Sequence, residues 1–150
     1  MPGYGVRGPT EGTGLLPWSW AQQRLASSKN YWVVTLWPWP DGRPHAMPVW
    51  GVWDSDSQLL WFTSSIGSRK ARNVAADPRC VVTTEDPENP VVLEGLAEIV
   101  TDAGSIRRVI ALVNAKYSTD YSPDFLDPII QATIRVRPRW AFGLTTVSSG

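Results

Sequence analysis

Along the chain the apolar positions change rhythm several times, and each change marks an element. Residues 1–14, MPGYGVRGPTEGTG, are rich in glycine and proline and carry little apolar surface. That composition predicts a flexible lead-in and places the folded domain at residues 15–150. PWSWAQQRLASSKN then predicts a short helix with Pro17 near its start, Ser19 as a candidate cap and an end near Asn30. Trp20, Arg24 and Leu25 would mark its packed side. From Tyr31 the residues turn β-branched and aromatic: YWVVTLW, HAMPVWGVW and QLLWFTS, joined by PWPDGRP and DSDS. Turns at Asp41–Gly42 and at Asp54 to Ser57 are too short for a parallel crossover, so the three strands form an antiparallel meander.

A helix follows from Ser68 to Asp77, and CVVTTE, the turn DPENP and VVLEGLAEIV make a further hairpin. In AGSIRRVIALVNAKY, Ile106, Val109, Ile110 and Val113 fall at the i, i+3, i+4, i+7 spacing of one helix face, with Arg107, Arg108 and Lys116 turned elsewhere. The proline-bearing connection STDYSPDFLDP leads to IIQATIRVRPRWAFGL. There Thr133, Arg135 and Arg137 alternate with Ile134 and Val136, and the alternation predicts a last strand that breaks at Pro138 and resumes. About six mostly antiparallel strands with two or three helices fit a small barrel, because closing the sheet removes its exposed edges.

Composition narrows the function classes. The 150 residues, 43% hydrophobic and 19% charged, suffice for one domain with a real core and not for two. Fourteen basic and fourteen acidic side chains cancel, so the broad positive field that draws in nucleic acid is missing and any anion must be held locally. A single cysteine, Cys80, forms no internal disulfide and is expected to be a buried packing residue; with one histidine, His45, the chain has too few soft ligands for a structural zinc site. No stretch approaches the ~20 apolar residues of a membrane span, and no export segment is evident at the start, which points to the cytoplasm. Nine tryptophans are many for this length, and most are expected in packing or interfaces.

One stretch runs against helix electrostatics. In SSIGSRKARNV, Arg69, Lys70 and Arg72 occupy the opening turns of a helix, where the partial positive charge disfavours cations by roughly 0.3–1 kcal/mol each. A solvated basic helix end would explain this, and so would a bound anion. Thr63, Ser64 and Ser65 end the preceding strand with hydroxyls, Gly67 lets the chain turn, and Ser68 caps the helix, so a phosphate there would meet hydroxyls, amides and cations together. In HAMPVWGVW a second clue is equally open. Pro48, Trp50 and Val52 face one side and Val49, Gly51 and Trp53 the other; Pro48 marks an edge or opening, and Gly51 a bulge or the close approach of a ligand or another backbone.

The run DGRPHAMPVWGVW…LLWFTSSIGSRKARNVAADPRCVVTTED…VVLEGLAEIV resembles the split β-barrel proteins related to pyridoxamine 5′-phosphate oxidase, over roughly Leu15 to Leu144. The resemblance implies a mainly β fold with helices: a six-stranded antiparallel split β-barrel of the FMN-binding type, paired as a homodimer with the cofactor at the subunit interface. The basic residues that flank the oxidase's own strand are not recognisable here, and the spacing from FT to SRK is one residue longer. DGRPHAMPVW, GSRKARN and IRVRPRWAF are more similar to a branch common in actinobacteria that includes reductases using the deazaflavin coenzyme F420. By that resemblance Ser68, Arg69 and Lys70, helped by Thr63, Ser64, Ser65 and Arg72, hold the cofactor phosphate, and the backbone from Met47 through Pro48 and Val49 to Trp50 lies against the ring.

The expected activity is hydride transfer from reduced deazaflavin to an electron-poor small-molecule acceptor of enone, quinone or tetrapyrrole type. An FMN-dependent oxidoreductase of the same fold and a non-catalytic cofactor- or haem-binding protein are the alternatives. His45, Tyr117 and Tyr121 are the candidates for a proton donor, and Arg43, Arg72 and Arg79 for the anionic tail of a deazaflavin.

Overall fold

Strand alternation in this chain has its cause in a closed sheet. The computed structural model describes residues 16–145 and the backbone of a short strand near the start. Its elements are β1 (Gly3–Val6), α1 (Trp18–Ser27), β2 (Asn30–Leu36), β3 (Pro44–Asp54), β4 (Leu59–Ser65), α2 (Arg69–Ala76), β5 (Arg79–Thr84), β6 (Val91–Val100), α3 (Ala103–Tyr117), a 3₁₀ turn at Pro123–Leu126 and β7 (Gln131–Gly143). The sheet runs β7-β4-β3-β2-β5-β6 and closes because β6 also pairs with β7, giving a six-stranded antiparallel barrel. β1 adds to it in parallel, from Gly3 opposite Trp140 to Val6 opposite Gly143. The remainder of the lead-in expected to be flexible lies outside the described residues.

The barrel is split by the way β3 changes partners. Residues 44–50 pair with β2, from Leu36 opposite Pro44 to Asn30 opposite Trp50. From Gly51 onward β3 pairs with β4, Gly51 opposite Phe62. The edge of residues 44–50 that faces away from β2 therefore has no strand beside it among the described residues. Pro48, which has no ladder donor, sits on that half.

Two apolar clusters hold the barrel. Inward residues Tyr31, Val33, Leu60, Phe62, Val82, Leu93, Ile134 and Val136 fill its interior, plugged by Ala21 and Leu25 of α1 and by Ala71 and Val74 of α2. On the outer face of β3 and β4, Val52, Leu59 and Trp61 pack under Ile106, Val109 and Ile110 of α3 and Leu126 of the 3₁₀ turn. The alternation along β3 holds: Trp53 enters the inner cluster and Val52 the outer one. Cys80 is buried, and that burial pushes its thiol up to about 12, so it packs rather than reacts.

Several expectations are corrected. Ser19 lies inside the first turn of α1, whose cap position is Pro17. At Gly51 another backbone does approach, as one expected alternative had it, and a side chain comes closer still: an added Cβ would lie 3.1 Å from the Trp61 carbonyl oxygen and 2.9 Å from the Tyr31 ring. β7 does not break at Pro138 but continues through it, with Arg139 as an extra, bulged residue opposite the step from Glu94 to Gly95 of β6. Lys116 turns inward, donating to the Tyr31 hydroxyl at 2.8 Å and the Gly51 carbonyl at 2.8 Å. Arg108 reaches buried Asp54 through two hydrogen bonds of 3.2 and 3.0 Å, which hold that carboxyl below the usual carboxylate range.

Candidate functional site

The start of α2 is built around Ser68. Its hydroxyl oxygen accepts from the Ala71 amide at 3.1 Å and from the Ser64 hydroxyl at 2.8 Å. With both lone pairs engaged, Ser68 keeps its own O–H to donate. Arg69 and Lys70 head the helix, where backbone amides lack intrahelical acceptors, and no acidic side chain stands in the first turn. Hydroxyl, amides and cations thus converge with no counter-anion in the helix itself.

Trp37 organises the cations. The Arg69 guanidinium lies 3.7 Å from the centre of the Trp37 ring and that of Arg43 lies 4.3 Å from it. Partial desolvation, then repulsion from Arg72 and Arg43, draw the Arg69 pKa down, though a guanidinium stays charged throughout the ordinary range. Lys70 is half-buried and its pKa is likewise lowered by desolvation. Asp41 bridges Arg43 at 3.5 Å and both are solvent-exposed, so this pair neutralises little. Arg79 stands apart from the group, tied to Asp77 by hydrogen bonds of 3.1 and 2.7 Å.

Across the split, β4 residues Thr63, Ser64 and Ser65 pair with β7 on one side and, among the described residues, with no strand on the other. They border the same gap as the open edge of β3. Of the expected ring-facing residues, Met47 and Val49 share the inner face with Val33 and Tyr31, while Pro48 and Trp50 share the outer face with Trp32. Met47 and Trp50 are 41% and 48% exposed, so two large apolar side chains on this half of β3 lack cover. The structure thus gathers the α2 start, the end of β4 and the first half of β3 around one opening.

The proton-donor candidates have distinct settings. His45 lies opposite Thr35 in the inner register, and its Nδ1 is buried without a partner among the described residues. Tyr117 stacks on Trp50, ring centres 4.1 Å apart and planes parallel within 1°. Its hydroxyl accepts from the Gly51 amide at 3.0 Å and donates to the Lys29 carbonyl at 2.6 Å. Burial raises its pKa, so it is a holder of backbone more than an acid. Tyr121 stacks on Phe125 at 4.2 Å, away from α2.

Sequence reading missed two residues here. Fully buried Asn73 donates to the Thr35 hydroxyl at 3.1 Å, fixing α2 to β2, and accepts from Arg69 at 3.5 Å. Its polarity in an otherwise apolar helix face was the available signal. Trp37, at the end of a strand in a Trp- and Pro-rich run, gave none that distinguished it from its neighbours.

The chain matches the family described as pyridoxamine 5′-phosphate oxidase over residues 21–145. Among solved structures it is similar to the conserved hypothetical protein Rv2991 from Mycobacterium tuberculosis, at 24% identity and TM-score 0.75, covering 89% of this chain and 87% of that one. It is 26% identical to an F420 reductase with TM-score 0.63, covering 80% of this chain and 94% of the other. An FAD-binding protein from Mesorhizobium loti shares the fold at 17% identity and TM-score 0.62, covering 84% and 90%. No match was found among curated proteins.

Proposed function

Because the chain belongs to the pyridoxamine 5′-phosphate oxidase family, we propose that it is an F420-dependent oxidoreductase acting on an electron-poor small molecule of enone, quinone or tetrapyrrole type. The observation that carries this reading is the pair Arg69 and Arg43 over the Trp37 ring, with Arg72 near enough to repel Arg69, beside a capped helix start that opens on the split between β3 and β4. The similarity to an F420 reductase supports the same choice.

The residues present fit such a cofactor. Ser68, Ser64 and the amides heading α2 suit a phosphate, and Arg69 and Lys70 offset its charge. A deazaflavin has, beyond its phosphate, a carboxylate-bearing tail, and Arg43 and Arg72 supply cations beyond what one phosphate needs. The open edge of β3 from Met47 to Trp50 offers backbone groups and flat apolar surface to a ring. When bound, the deazaflavin supplies a hydride equivalent. The chain's own work is to bind, to orient and to exclude water; Lys116 and Tyr117 hold the Gly51 backbone, and Tyr117 holds the Trp50 ring, at the edge of the opening.

The opening would be completed by a second copy of the chain. Trp32, Leu96, Trp140 and Phe142 stand 47%, 36%, 56% and 45% exposed on the outer barrel face, around a groove of about 410 Å³ that Leu96 and Trp140 help to line. An apolar face of this kind suits twofold pairing.

Titration of the purified protein with the deazaflavin and, separately, with FMN tests the reading. The expected outcome is tight deazaflavin and weak FMN binding, with a loss of about tenfold or more in Arg69→Ala and in Lys70→Ala. Arg43→Ala should weaken the deazaflavin more than FMN. Preference for FMN, or variants that bind like wild type, would overturn it. Binding without reduction of any acceptor would favour a carrier.

A further inference from the structure

Two guanidiniums share one ring. The Cζ atoms of Arg69 and Arg43 lie 3.7 and 4.3 Å from the centre of the Trp37 indole, so they stand no further apart than those two distances together. Arg43 repels Arg69, and Arg72 adds to that repulsion. Asp41 pairs with Arg43 at 3.5 Å, but among the described residues no carboxylate bridges Arg69, whose guanidinium reaches the Asn73 amide oxygen at 3.5 Å.

What opposes the repulsion is the ring. The face of an indole attracts a cation, and a planar guanidinium also stacks on it. The backbone places the ring in turn. The Trp37 N–H donates to the Arg43 carbonyl at 3.0 Å, which closes the loop of residues 37–43, and Asn73 ties α2 to Thr35, just before Trp37 on the same strand. Loop and helix therefore meet at Trp37, and each brings one cation to it. A phosphate at the α2 start engages the Ser68 hydroxyl, the amides and Arg69. Arg43 comes from the loop and not from the helix, so it serves a second anionic group beside the first, and an anion that spans both cations cancels their repulsion.

We propose that Trp37 is a positioning residue that aligns Arg69 and Arg43 as a two-point clamp for a ligand carrying a phosphate and, a few bonds away, a second anionic group. Trp37 acts through the two arginines. That the ligand is a deazaflavin, with a carboxylate of its tail as the second group, rests on the reductase reading above. The clamp does not, because it is read from the chain's own cations.

The test titrates the full chain with three probes: ethyl phosphate, phosphoglycolate, which has a carboxylate in place of the methyl group, and pyrophosphate. Binding is followed through the arginine Nε–H resonances, with Arg69→Lys and Arg43→Lys identifying the two signals. Phosphoglycolate should bind about tenfold more tightly than ethyl phosphate, the effect of one further charge-assisted contact, and should move both signals. Trp37→Leu and Trp37→Met, apolar replacements without a ring face, should each bring that ratio close to one, whereas Trp37→Phe, which keeps a ring, should retain most of it. Two-headed probes that bind no better than ethyl phosphate, movement of the Arg69 signal alone, an undiminished ratio in Trp37→Leu or Trp37→Met, or an equal loss in Trp37→Phe would each overturn the inference. Pyrophosphate preferred to phosphoglycolate, or failure of the deazaflavin to bind with the probe ratios intact, would count against the reductase reading alone.

Discussion

Single residues in this barrel carry constraints that only their neighbours reveal. Gly95 is the clearest case: an added Cβ would collide with the Arg137 carbonyl across the bulge, a backbone group that cannot swing away. Gly95→Ala should destabilise the fold by about 2 kcal/mol, read as a lower midpoint in denaturant. Lys116 is constrained by burial. Desolvation lowers its pKa to about 8, from 10.5, while Glu85 partly offsets this. Between those values the unfolded chain binds more protons than the folded one, so stability should rise with pH from about 8 toward 10. Tyr31 and Tyr117, whose pKa values burial raises, oppose this rise only as pH nears 10, where the unfolded phenols lose protons that the folded ones keep. The neutral amine still has two N–H groups for Tyr31 and Gly51. A pH series of chemical melts should show this rise in wild type and a flatter curve in Lys116→Met. None of this was legible in the sequence, where Lys116 was placed off the packed face by a helical rule that considers Cα direction and not the reach of a long side chain.

At the level of elements the sequence was more informative, and for identifiable reasons. The bounds of β6 followed from the turn DPENP before an apolar run and those of α3 from a period-3.6 pattern, and the structure has them at Val91–Val100 and Ala103–Tyr117. α2 was found through Ser68, which caps it as expected, and through the basic run whose mismatch with the helix dipole singled it out. What pattern could not supply was the seating of α2, because Asn73 and Thr35 are 38 positions apart and meet only in three dimensions. Asn73→Ala would leave the buried Thr35 hydroxyl without its partner. It should cost about 2 kcal/mol in a thermal melt and weaken deazaflavin binding by releasing the helix start. A normal melt with normal binding would mean that α2 is held by Ala71 and Val74 alone.

For the whole molecule, the closed barrel was legible from strand count and short turns, whereas the partner exchange of β3 was visible only as a lone proline and a glycine. The outer face carries the dimer proposal. Light scattering should report a mass twice that of the chain at micromolar concentration, and Leu96→Glu, at the groove, should shift it toward the monomer and weaken deazaflavin binding with it. A monomeric wild type would remove the intersubunit site. The exchange of partners has a consequence for how ligand and fold share their stability. Because, among the described residues, the half of β3 from Pro44 to Trp50 and the end of β4 each have a ladder on one side only, their outward amides are open to solvent exchange, and a molecule seated in the seam takes the place of a strand. Deuterium uptake should therefore slow most at residues 44–50 and 63–65 when cofactor binds, and little at the β6–β7 seam, where the barrel is already closed.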